Sequence, residues 1–414
     1  MKKQQILTYI FLFFFSTNLS CQNKSIPSKE VLTNSLHSMI NNIRDNYIYL
    51  SDKDVDIECI RTSYLEKINH IKTRDDMILF FEYLMDEFYD DHLILNTNIK
   101  ASYRLHAPIY FKIENGKVRI TNIWYSQIKN LKKNIIGAEI IEFNGKKFSE
   151  VIDLFPTVCH NKTNNEVREW IANKVLAGKY NEPRVLKIKL SNSQIETIDL
   201  DDFKIIKKRK VLSSKKIDNI GFIRINNSLA NSSLVPKFDK VLNSFMNTDG
   251  LIIDLRNTIS GGRCENAIGI IGRFIDKKQA YQKVVPSERL GDHLQPDQNC
   301  IYVSPRLERY RKPVVILVGR WTGSMGEGIA MGFDGLERAE VVGSEMRKLL
   351  GNMYGYSIEN TGIKYNISRE KVFHVNGVSK QNYIPSHHII QSQIKPDIIL
   401  QKGIELIKKV ADKK

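Results

Sequence analysis

Gly250–Leu251–Ile252–Ile253–Asp254–Leu255–Arg256–Asn257, continued by Thr258–Ile259–Ser260–Gly261–Gly262, is the stretch on which the fold turns. Its near-continuous apolar run suits a strand buried on both faces. A charged end and a glycine turn close it. A second such run, Pro313–Val314–Val315–Ile316–Leu317–Val318, leads through Arg320–Trp321–Thr322 into Gly323–Ser324–Met325–Gly326–Glu327, which opens a helix. Ile220–Ile225 reads as a further strand and Asn266–Phe274 as helical. Residues about 206–400 therefore alternate strand and helix, the pattern of an α/β layered domain.

Upstream the character changes. Residues about 104–203 carry short strand-like runs at Ile109–Ile113, Val118–Ile120 and Val185–Leu190. Asn115–Gly116 is a hairpin turn signal. Ile135–Ile136–Gly137–Ala138–Glu139–Ile140–Ile141–Glu142–Phe143–Asn144–Gly145–Lys146 resembles the PDZ-domain pattern of a glycine-led turn, a strand, an Asn-Gly turn and a helix, although Ala138 stands where that pattern has Asp. Domains of that type bind an extended peptide at a sheet edge. Residues about 26–100 instead repeat apolar positions at helical spacing, as in Leu32, Leu36, Met39–Ile40 and Ile43, which predicts a helical N-terminal cap.

The order of the two motifs resembles the C-terminal processing (tail-specific) peptidases and the related tricorn core-like peptidases. There a strand reading Asp-Leu-Arg leads to a glycine turn, and a nucleophilic serine opens a helix with Glu three places on. The turn here is one residue longer. The resemblance implies a crotonase/Clp-like α/β serine peptidase domain following the cap and the PDZ-like domain, with Ser324 as nucleophile. A serine at a strand-to-helix turn is exposed beside the positive end of the helix. The N–H of Met325 and the turn Gly261–Gly262 can face a developing oxyanion. Serine in this place also serves as an ordinary N-cap.

A serine nucleophile needs a base. Asp90–Asp91–His92 resembles the segment that brings a histidine into the site in one branch of the family. Lys348 lies near the place of the base lysine in the other branch, without that segment's glycines and beside Arg347, which suggests solvent. His92 is the favoured base. Its Asp-rich flank places it between surface and cleft, so His92→Ala should cost little stability. Activity should rise through roughly pH 6–7, and Lys348→Ala should be nearly silent. The third member stays open: Pro396–Asp397 matches the family, but the Glu that should precede it is missing. Glu327, one helical turn from Ser324, is a possible supporting acid.

The chain opens Met1–Lys2–Lys3 and runs through an apolar core to Asn18–Leu19–Ser20–Cys21, resembling a bacterial lipoprotein signal with Cys21 lipidated. The expectation is a periplasmic protein anchored to a membrane through Cys21. The formal charge of +16 over 414 residues is scattered rather than massed, so it reads as a solvated surface and nucleic acid is not an expected partner. Cys59, Cys159, Cys264 and Cys300 form no CxxC pair, which argues against structural zinc. They leave one or two disulfides open without pairing them. No metal or organic cofactor is implied, and the expected partner is a peptide or protein substrate. A catalytically inactive peptide- or lipophile-binding protein on the same scaffold is the alternative.

Overall fold

The computed structural model describes residues 26–206, 210–286 and 300–411. Cys21 and the segment before it lie outside the described residues. Among those described, no helix is long and apolar enough to cross a membrane.

The N-terminal region forms helices Lys29–Asn46, Ile57–Lys67 and Arg74–Asp86, each started by a side-chain cap from Ser28, Asp56 and Thr73 respectively. Leu32, Leu36, Met39, Ile40 and Ile43 share one buried face of the first helix. That face does not close on the other helices alone. It packs against Ile358, Ile363, Tyr365 and Ile367 of the hairpin Asn352–Ile358/Ile363–Phe373. The short strand Ile94–Leu95 pairs with the same hairpin. The cap therefore shares a core with the C-terminal half, which the linear division of the sequence did not anticipate. This hairpin extends through Gln279–Pro286 to Cys300–Val303 in a second sheet beside the main one.

The strands and helices between Ile109 and Asp199 share one hydrophobic core and are called the β-domain. Its sheet runs in the order Ile109–Glu114, Lys117–Ile123, Glu139–Phe143, Val185–Lys189, Ile195–Asp199 and packs on helices Phe148–Asp153 and Asn165–Ala177. Asn115–Gly116 and Asn144–Gly145 all take positive φ, as two-residue hairpin turns of the Asn-Gly type require.

The main sheet has the order His387–His388, Glu340–Gly343, Val314–Val318, Gly250–Asp254, Ile220–Ile225, Leu212–Ile217. All neighbours are parallel except the last pair. Gly250–Asp254 and Val314–Val318 are buried at every position, as their sequences require. Ile253 and Ile316 face the core that includes helices Leu234–Asn243, Cys264–Ile271 and Met325–Gly335, while Ile252 and Val315 face helix Ile398–Ala411. Because these two central strands are adjacent and parallel, with Asp254 opposite Leu317, their carboxyl ends emerge side by side. Open parallel sheets bind ligands at that end.

The β-domain is tied to this end. Ile259 and Trp321 belong to its hydrophobic core. Trp321 stacks on Trp124 at 5.3 Å, and their indole N–H groups donate to Ala107 O and Arg256 O. A disulfide joins Cys59 of the cap to Cys159 of the β-domain, 100 residues apart, while Cys264 and Cys300 have no disulfide partner among the described residues. Cross-links over such spans stabilise by about 2–4 kcal/mol. Replacing both Cys59 and Cys159 by Ser should lower the urea midpoint accordingly, and an unchanged midpoint would show that the bond carries no stability.

Candidate active site

The site begins with a buried charge cluster under the two strand ends. Arg256 binds Asp254 through Nε and a terminal nitrogen, each at 3.0 Å, and binds Asp397 in a second fork at 2.8 and 2.9 Å. The Asp-Leu-Arg and Pro-Asp fragments noted in the sequence thus meet. Burial acts to raise the Asp254 pKa, but Arg256 and Arg224 hold its carboxyl well below the usual carboxylate range. The geometry is bidentate on both sides, the strongest form of such pairing. It fixes where the turn 257–262 starts.

Ser324 sits at the head of helix Met325–Gly335 with φ 51° and ψ −115°. A non-glycine residue in this region carries strain of order 1–3 kcal/mol, and such residues cluster at functional sites. Across from it the turn 257–262 approaches closely. Gly261 has φ +63°, and a Cβ there would lie 2.4 Å from Ser324 Cβ, 2.8 Å from Ser324 Oγ and 3.2 Å from Met325 N. Only glycine fits that gap. The two glycines differ in their N–H groups. That of Gly261 donates to Thr258 O within the turn, whereas Gly262, which is exposed, and Met325 show no such commitment.

Glu327 is fully buried and reaches back to accept from Ser324 N at 2.7 Å through one oxygen and from Lys348 N at 2.7 Å through the other. Its burial pushes its pKa up, while Lys380 and the N–H groups of Ser324, Lys348 and Leu349 oppose this. It is thus more than a first-turn residue favoured by the helix dipole: it orients the peptide bond that carries Ser324.

His92 is 3% exposed, not between surface and cleft as its sequence suggested. The acidic flank misled because Asp90 is buried too, accepting from Tyr47 OH and from His92 N. Nδ1 of His92 lies 2.5 Å from Leu350 O, an acceptor, so Nδ1 carries the proton and Nε2 keeps its lone pair. Nε2 is buried and makes no hydrogen bond among the described residues, including none to Ser324. Burial, reinforced by Lys380 and Arg347, pushes the His92 pKa down to about 3, so the ring stays neutral.

The side chain of Lys348 pairs with Glu345 at 3.3 Å and lines an open cleft of about 520 Å³, to whose lining Ser324 does not contribute. Arg347, expected to mark solvent, is instead held in. It donates to Ile259 O and Leu105 O, stands 3.7 Å from Asp91, and packs its Cδ near Gly323. Arg347 thereby joins the glycine turn, the β-domain and the end of the cap beside the serine. The longer turn has a use here, since Ile259 within it is the residue that reaches the β-domain core. Sequence reasoning missed Lys380, which is buried near Glu327 and His92 and donates to Gly351 O at 2.8 Å. Its context, Asn376–Gly377–Val378–Ser379, signals only a turn. No cluster of His, Cys, Asp and Glu able to hold a metal occurs among the described residues.

Comparison with known proteins gives two family matches: residues 219–400 match Peptidase family S41, and residues 33–86 match the Tricorn protease C1 domain. Among solved structures, mature CPAF complexed with lactacystin superposes with a TM-score of 0.58 at 15% identity, covering 92% of this chain and 98% of that one. The photosystem II D1 C-terminal processing protease gives 0.55 at 12% identity, covering 92% and 97%. These likenesses speak to the fold. No curated protein matches.

Proposed function

The chain belongs to peptidase family S41 and is a serine-type peptidase, and from that premise we propose that it is an exported endopeptidase cleaving peptides or unfolded chain ends with Ser324 as nucleophile. The observation that carries this is the left-handed strand-to-helix turn at Ser324 with Gly261 packed against its Cβ. In this reading His92 Nε2 takes the serine proton and Oγ attacks the scissile carbonyl. The N–H groups of Met325 and Gly262 receive the oxyanion, Gly261 leaves room for it, and Glu327 holds the turn. Incubation with a fluorophosphonate, followed by peptide mapping, should place a covalent adduct on Ser324. Absence of any adduct on folded protein would sink the reading.

The inactive-binder alternative draws on the unpaired His92 Nε2 and on a carbonyl, not a carboxylate, at Nδ1. The same labelling decides between the two.

The β-domain fits a PDZ-like docking role, with one qualification. On the edge strand Ile109–Glu114 the N–H groups of Phe111 and Ile113 already donate to Asn173 and Glu169 of the neighbouring helix. A peptide adding there must displace them.

Export and anchoring are supported by the signal-like start and by the Cys59–Cys159 disulfide, a bond typical of oxidising compartments. We place the protein in the periplasm, held to a membrane through lipidated Cys21. The full chain should partition into detergent and Cys21→Ala should release it. Release of the unmutated protein would reject lipidation.

A further inference from the structure

Lys380 has no part in the chemistry described so far, yet it is 3% exposed, and among the described residues the hydrogen bond of its ammonium is to Gly351 O. An ammonium is costly to bury without negative charge nearby. Burial pushes the Lys380 pKa down, and the carboxylates that oppose this are those of Glu327 and Asp90, both buried.

The backbone between these groups is one short segment, residues 348–351. Lys348 N donates to Glu327, Leu350 O accepts from His92 Nδ1 and from Ser368 Oγ, and Gly351 O accepts from Lys380 Nζ. Lys348 and Gly351 both take positive φ, at 63° and 59°, so the segment is a tight, non-repetitive turn. A Cβ at Gly351 would lie 2.3 Å from Glu370 O, leaving it little freedom to move. One strut therefore sets the serine's peptide bond through Glu327 and the imidazole through Leu350. Both oxygens of Glu327 act as acceptors from backbone N–H groups, which calls for the carboxylate form, since a protonated acid would turn one oxygen into a donor.

We propose that Lys380 is a positioning residue for the reaction of Ser324, supplying the counter-charge that keeps Glu327 a carboxylate and pinning the strut 348–351 at Gly351 O. It touches no substrate. Its action passes through Glu327 and through the carbonyl that orients His92. The proposal rests on the peptidase reading above.

The test is the rate of fluorophosphonate inactivation, resolved into kinact and KI, for the full chain and for Lys380→Met, Lys380→Arg, Glu327→Gln and the double variant Glu327→Gln/Lys380→Met, with a thermal melt of each. Lys380→Met should lower kinact about tenfold or more, corresponding to about 1.4 kcal/mol or more, with KI changed less than about twofold. Lys380→Arg should recover part of the loss. In the Glu327→Gln background Lys380→Met should cost clearly less, because the charge it balances is gone and only the pin at Gly351 O is lost. A Lys380→Met protein that labels at the wild-type rate overturns the proposal, as does an equal fold-loss in both backgrounds. If Lys380→Met does not fold, a folded Lys380→Arg that fails to label also overturns it. A wild-type chain that never labels sinks the peptidase reading and this proposal together, whereas a labelling wild type with an indifferent Lys380→Met sinks this proposal alone.

Discussion

Gly261→Ala is expected to slow fluorophosphonate labelling of Ser324 by two orders of magnitude or more while leaving the protein folded. The added methyl group would sit 2.4 Å from Ser324 Cβ, far inside van der Waals contact, and 3.2 Å from Met325 N. The turn cannot relieve this by rotating, because φ at position 261 is +63°, where alanine is itself strained. Either Ser324 moves off its turn or the turn 257–262 retreats and takes the Gly262 N–H with it. Both outcomes spoil the alignment of nucleophile and oxyanion donors, and losing a single donor typically costs about 100- to 1,000-fold. Gly262→Ala is the poorer experiment, since its methyl would collide with backbone at Leu229, 2.1 Å away, and disturb folding as well. The measurement is the second-order rate of fluorophosphonate labelling alongside a thermal melt. A folded Gly261→Ala protein that labels at the wild-type rate would show that the turn has no part in the chemistry.

Much of this arrangement was legible in the sequence because it is written in local chemistry. Apolar runs ended by Asp254–Leu255–Arg256 and by Gly323–Ser324 can only be buried strands that stop at charge or at a turn. The Asn-Gly pairs at 115–116 and 144–145 announce positive φ. Reading fails where burial is decided by distant partners. The Asp90–Asp91–His92 segment looks wet, and Asp91 is exposed, but Tyr47 and Leu350 close over Asp90 and His92. Arg347 looks solvated, but Ile259 O of the glycine turn and Leu105 O at the start of the β-domain satisfy its guanidinium. Lys380 carries no local mark at all, because what makes it special is Glu327 and Gly351, each supplied by another part of the chain. The pairing of Cys59 with Cys159 is of the same kind. It depends on the cap lying against the β-domain, a contact that no periodicity encodes.

His92→Ala is expected to lower the labelling rate of Ser324 by about 100- to 10,000-fold, the usual contribution of a positioned base, and the pH dependence should differ from that of an ordinary histidine enzyme. An unperturbed histidine titrates near 6.5, which would give a rise in rate through roughly pH 6–7. Burial pushes His92 down to about 3. The free enzyme therefore holds Nε2 ready across the neutral and mildly acid range, and its labelling rate should show no inflection near 6.5. The same shift has a stability consequence whose sign follows from linkage. The unfolded chain binds a proton at this position near 6.5 and the folded chain only near 3, so this part of the stability is complete above about 6.5 and is lost as the pH falls toward 3. In His92→Ala that loss should be missing, and the urea midpoint should fall less steeply between those limits than in the wild type. At neutral pH the variant should nevertheless be weaker by about 1–3 kcal/mol, since a cavity opens and Leu350 O loses its imidazole partner. Lys348→Ala, which removes an ammonium paired with Glu345 in the lining of an open cleft, should change neither profile. A wild-type inflection near 6.5 would overturn the depressed pKa of His92, and full labelling of a folded His92→Ala would remove His92 from the mechanism.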